Sequence, residues 1–117
     1  MRTKQTDIYR ARSGQLLTPP DSRYLRGRVE TKRPGEETGT HVTEGREEVL
    51  IVLEGTATVE LGRSRVRRIA MGPGRALFIP EGIPHNVRNS GGSGLRYLYV
   101  RSISAPEKRR SLRHSHH

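Results

Sequence analysis

Apolar and polar residues alternate along most of this chain with a period of two, in short runs separated by glycine and proline. Residues two apart in an extended chain share a face, so such runs predict strands. Residues 22–32 alternate, with Tyr24, Arg26, Arg28 and Glu30 on one face and Leu25, Gly27, Val29 and Thr31 on the other. A short strand is expected over 40–43, with His41 and Thr43 on the same side. The most apolar run is 48–54, where Val49 to Leu53 is apolar on both faces. Both faces then need cover, one from the interior and the other from another sheet or a second subunit. Further strands are expected over 56–61, 66–71, 76–79, from His85 onward, and over 95–103. In the last, Tyr97 and Tyr99 share one face and Leu98 and Val100 the other. About eight short strands, close-set turns and no helical period predict an all-β fold, a barrel or double-sheet jelly roll.

The totals narrow this picture. A chain of 117 residues suits one domain, but a hydrophobic content of 31% is low, so polar ends around an ordered centre are expected. Residues 1–20 lack periodicity and end in Pro19-Pro20, which predicts an arm; 21–104 form the barrel; 105–117 read as a basic, disordered tail. The absence of cysteine excludes disulfides and thiolate metal sites. The N-terminus has no apolar core of a signal peptide, and no apolar run approaches the roughly 20 residues of a membrane helix, so cytoplasmic residence is expected and no membrane contact.

Charge is uneven. The net value is +10, yet residues 34–60 carry seven acidic groups and one basic group. An acidic island thus sits in a basic chain. The basic field would steer a small anionic ligand. It is also what a plain arginine-rich surface looks like. Nucleic acid is disfavoured, because there is no helix-turn-helix pattern and aromatics are only 4%.

Candidate chemistry gathers at two stretches. In the second, Gly74 to Asn89, His85 is framed by Pro80, Gly82 and Pro84, so a turn fixes where its ring points. In the first, His41 and Thr43 point together and Glu48 lies across a short turn on the next strand. Two imidazoles and one carboxylate form a plausible site for a divalent transition metal. Two His plus one carboxylate suits Fe(II) in particular, with Mn, Ni, Co or Zn as alternatives. His114, His116 and His117 are read as adventitious metal binders.

These stretches resemble the two signature motifs of the cupin superfamily. Gly35, His41, Glu48 and Gly55 match the first motif, with Thr43 in place of its second histidine. Gly74, Pro80, Gly82, His85 and Asn89 match every fixed position of the second. The resemblance implies a single-domain double-stranded β-helix, a jelly-roll barrel, and a homodimer. It also implies that His41, Glu48 and His85 hold the metal, with water at the position of Thr43 or the metal lost altogether. A second departure is Arg75, where the family often has Asp.

Two functional classes follow. One is a metal-dependent enzyme, a dioxygenase, isomerase, epimerase or decarboxylase, acting on a small, oxygenated, anionic molecule. Glu48 would be a ligand or base, Tyr97 or Tyr99 a proton donor, and Arg26, Arg28 or Arg75 would orient the substrate. The other is a non-catalytic, metal-free binding or sensor module, which the Thr43 departure favours. Its pocket would be lined by Leu50, Val52, Val87 and Tyr97 or Tyr99.

Overall fold

The computed structural model describes residues 3, 5–10, 14–17, 22–42 and 44–102. Thr43 lies outside them, and so do 103–117 with the expected tail. Eight strands follow in order: β1 (Gly14–Leu17), β2 (Leu25–Lys32), β3 (Glu48–Glu54), β4 (Ala57–Leu61), β5 (Arg67–Met71), β6 (Ala76–Ile79), β7 (His85–Asn89) and β8 (Leu95–Ser102). They form a five-stranded sheet ordered β1-β2-β8-β3-β6 and a three-stranded sheet ordered β5-β4-β7, with every pairing antiparallel. Among the described residues there is no helix, and so none that could cross a membrane.

Two expectations change. Among the described residues 40–42 no strand forms; they touch β7 through a single bridge between His41 and His85, whose N–H groups each donate to the other's carbonyl at 3.0 and 2.9 Å. Gly39, with φ at 83°, turns the chain away just before it can extend. The N-terminal arm contributes β1, which pairs with the outer edge of β2. Four residues are too few to show a period, so backbone pairing rather than pattern places this strand.

Registers decide what faces inward. Directly opposed residues on paired strands share a face. Three inward rows therefore cross the large sheet: Arg26–Arg101–Glu48–Ile79, then Arg28–Tyr99–Leu50–Leu77, then Glu30–Tyr97–Val52. Between the two sheets, Leu50, Val52, Ala57, Val59, Met71, Ile79, Val87, Leu95 and Tyr97 form the core. Each of the larger ones contributes about 1.5–3 kcal/mol by leaving water. The packing is apolar at its centre and becomes polar toward the Arg101–Glu48 row, where the site lies.

The outer face of the large sheet is also apolar, as the two-sided pattern of 48–54 implied. Val29, Leu53 and Leu98 are buried there, with Ile8 of the arm, Ile51 and Val100 packed against them. The chain's own arm covers part of this face. Phe78 remains 54% exposed and Val49 37%.

Two motif positions are explained by backbone geometry. Gly55 adopts φ of 83°, and a Cβ there would run into the carbonyl oxygen of Gly94. Asn89 donates through Nδ2 to the carbonyls of Lys32 and Ser93 at 2.9 and 2.8 Å, and its Oδ1 accepts from Gly91 at 3.0 Å. One buried amide thus ties the β7–β8 loop to the end of β2.

Candidate functional site

His85 opens β7 immediately after the Pro80–Pro84 turn and is 1% exposed. Its Nδ1 lies 3.0 Å from the carbonyl of Ile83. His41 repeats the arrangement, with Nδ1 at 3.1 Å from the carbonyl of Gly39. A carbonyl only accepts, so each Nδ1 carries the hydrogen, and in the neutral ring Nε2 is left with its lone pair. The two rings meet edge to face at 4.3 Å.

Loop 38–41 is held by a residue the pattern did not single out. Asn86 Oδ1 accepts from the Gly39 amide at 2.9 Å, and Asn86 Nδ2 donates to Glu60 at 2.9 Å. The Thr38 amide donates to Val87, and the Thr38 hydroxyl accepts from the Val87 amide. The Asn86 hydrogen bond and then Arg68 hold the Glu60 carboxyl below its ordinary value.

Glu48 opens β3, is 4% exposed, and lies with Oε2 3.6 Å from His85 Nε2. Its other oxygen accepts from Arg101 Nε at 3.0 Å. The Arg101 guanidinium also stacks on Tyr99 at 4.7 Å. Burial first, then the charges of Glu30 and Glu48, push the Tyr97 phenol well above its ordinary value; burial also raises Tyr99, against the pull of Arg101. Both are thereby held as neutral phenols.

These groups line a pocket of about 240 Å³ with Glu30, Lys32, Glu37, Thr38 and Val87. A larger cavity of about 1140 Å³ adjoins it at Lys32, an open groove bordered also by Tyr9, Arg10, Arg33, Glu54 and Arg96. It contains neither histidine, so size does not locate the chemistry.

Of the anticipated residues, the structure brings together His41, Glu48, His85, Val87, Tyr97 and Tyr99. Leu50 and Val52 are fully buried in the core beneath the pocket rather than in its wall. Arg75 is exposed in the β5–β6 turn, away from the pocket lining. Arg28 faces inward but lies 2.7 Å from Glu30, an ion pair that takes up its charge. Arg26 faces inward beside Arg101, beyond the residues lining the pocket. Arg101 and Asn86 were missed. Only the register of β8 against β3 reveals the first.

The metal expectation was tested on the donors themselves. Among the described residues, no three His, Asp or Glu side chains converge as a group that could hold an ion. His85 Nε2 is buried without a hydrogen-bond partner beside Glu48 Oε2, which suits two ligands of one cation. His41, its ring packed 4.3 Å from that of His85, does not complete a three-donor group with them, and Arg101 already engages Glu48. In this arrangement the donors offer two ligands to a cation, and a third would have to come from a shift of His41.

A family model described as "Cupin domain" matches residues 28–101. No curated protein matches. Solved structures similar to this chain include TT1209 from Thermus thermophilus, 28% identical over 86% of this chain and 97% of that one, with a TM-score of 0.73. BH2720 from Bacillus halodurans is 26% identical over 81% and 74%, with a TM-score of 0.74. A predicted oxalate decarboxylase from Thermotoga maritima, 22% identical over 77% of each chain with a TM-score of 0.69, shares the fold.

Proposed function

The chain belongs to the cupin family, and from that premise we propose that its pocket binds a small, oxygenated, anionic molecule held directly by protein groups. The supporting observation is a match of charges. Glu30, Glu37 and Glu48 in the pocket wall each have an arginine partner, Arg28, Arg88 and Arg101. Lys32 also lines the pocket and pairs with no carboxylate among the described residues. One positive charge is left over, and it is the natural counterion of a ligand carboxylate. The Tyr97 and Tyr99 hydroxyls supply donors, and the Nε2 atoms of His41 and His85 supply acceptors. A volume of about 240 Å³ lies below the range for drug-sized ligands and suits a small metabolite.

A second reading has its own support. The unpartnered Nε2 of His85 beside Glu48 Oε2 suits a divalent cation that draws Glu48 away from Arg101 and brings in His41. Such a cation would supply Lewis-acid chemistry in a metal-dependent enzyme. The first reading is tested by calorimetric titration of succinate into the full chain and into Lys32→Gln. Roughly tenfold weaker binding in the variant supports it; equal affinity overturns the role of Lys32.

A further inference from the structure

Arg26 and Arg101 are direct cross-strand partners on the inward face of β2 and β8. Like charges in that position repel, and such pairs are destabilising unless something negative lies between them. The only carboxylate in the row is Glu48, on the far side of Arg101, and Arg101 Nε already engages it. Arg26 gains nothing from that contact. Its Nε–H is buried and has no acceptor among the described residues, which is costly for a charged donor. The row Arg26–Arg101–Glu48 therefore carries an excess positive charge and an unspent donor pointing inward.

Arg101 is held by Glu48 on one side and by the Tyr99 ring on the other. Its Nε is used, and among the described residues its two terminal nitrogens have no acceptor and can meet a further one. Arg101 lines the pocket and Arg26 stands next to it. Arg28, one inward position along, has its charge offset by Glu30 at 2.7 Å, although its Nε–H, like that of Arg26, makes no hydrogen bond among the described residues. The pair that can act on a ligand is thus Arg26 with Arg101 rather than Arg26 with Arg28, because Arg101 lines the pocket and Arg28 does not.

We propose that Arg26 and Arg101 form a carboxylate-binding subsite at the end of the pocket away from Lys32, so that the ligand carries an anionic group at this end. The inference rests on the small-anion reading of the pocket and adds a position and a class to it. A carboxylate between the two guanidiniums satisfies Arg26 Nε and removes the repulsion. Binding is then coupled to stability, because the apo protein carries the unrelieved pair.

The test uses the full chain, with succinate as probe and chloride at equal ionic strength as control. Calorimetric titration is run on the native chain, on Arg26→Gln and on Arg26→Lys. The proposal expects roughly tenfold weaker succinate binding in Arg26→Gln, and an intermediate loss in Arg26→Lys, which keeps the charge but not the fork. Thermal unfolding without succinate supplies a second readout. Arg26→Gln should melt no lower than the native chain, since repulsion is removed; a purely structural Arg26 would lower the melting temperature. Succinate bound equally by native chain and Arg26→Gln overturns the subsite and leaves the pocket reading standing. No succinate binding by the native chain overturns both. A lower melting temperature with unchanged affinity also overturns the subsite.

Discussion

Arg101 on β8 and Glu48 on β3 stand directly opposite each other, joined by an Nε–Oε1 hydrogen bond of 3.0 Å at the mouth of the barrel core. Glu48 is almost fully buried, and the attraction of one guanidinium offsets the cost of burying its charge. Removing one partner alone is therefore expensive. Arg101→Met should lose roughly 3 kcal/mol, whereas Arg101→Met combined with Glu48→Leu should recover most of it, as buried pairs replaced together often do. Denaturant unfolding of the two single variants and the double variant measures this. Additive losses would show that the two side chains do not depend on each other.

Asn86 should matter to both stability and site. Asn86→Ala leaves the Gly39 amide without its acceptor and frees the loop that carries His41, at a cost of about 1–3 kcal/mol. It also removes the largest cause of the depressed Glu60 titration. A carboxyl whose folded value lies below the ordinary 4.5 stabilises the fold above that pH, and the contribution fades as pH falls below it. The native chain should therefore lose stability below about pH 4.5, and the Asn86→Ala curve should be flatter there. Unfolding followed across that range decides it; parallel curves would contradict the assignment.

The tyrosines set the alkaline limit. Tyr97 and Tyr99 hold their protons in the folded chain at pH values where an ordinary phenol, near 10.0, has begun to lose its own. Their contribution is intact below that value and is lost as pH climbs toward the folded values. Melting temperatures should fall above about pH 10, and Tyr97→Phe should lessen the fall. Melts across the alkaline range test this, and an unchanged slope in the variant would count against a buried, neutral Tyr97.

Much of this fold was legible, and the reasons are local. Alternation within single strands exposed β2, β4 and β8, and Gly and Pro marked the turn that aims His85. His41, Glu48 and His85 could be grouped because each lies beside its own turn or bridge. Arg101 could not, because its partner is 53 residues away and only the β3–β8 register joins them. Arg26 and Arg28 looked equivalent by alternation, and a neighbouring Glu30 made them different. Asn86 was hidden because its role is to bind backbone from another segment, which leaves no periodic trace. Of the strand expected over 40–43, the described residues 40–42 show one bridge, because backbone pairing among them extends no further than His41 and His85.

The outer sheet face suggests how copies of the chain meet. Phe78, Val49 and Val100 lie in one register row across β6, β3 and β8, with Gly27 next in line on β2. Ile8 covers the neighbouring cluster, not this row's exposed end. An exposed, uncharged row can pair with its own copy, and we infer a second copy of the chain packed against it about a two-fold axis. Sedimentation should show a dimer for the native chain and a monomer for Phe78→Asp. A monomeric native chain would contradict the inference.

The most direct test of the pocket asks whether it needs a metal at all. The full chain, with His114→Ala, His116→Ala and His117→Ala to remove adventitious sites, would be stripped with chelator and titrated calorimetrically with succinate. Saturable one-to-one binding in the stripped protein is the result expected of a site built from Lys32, Arg101 and the two imidazoles. No heat until a divalent cation is restored would contradict it and establish the metal-dependent reading in its place.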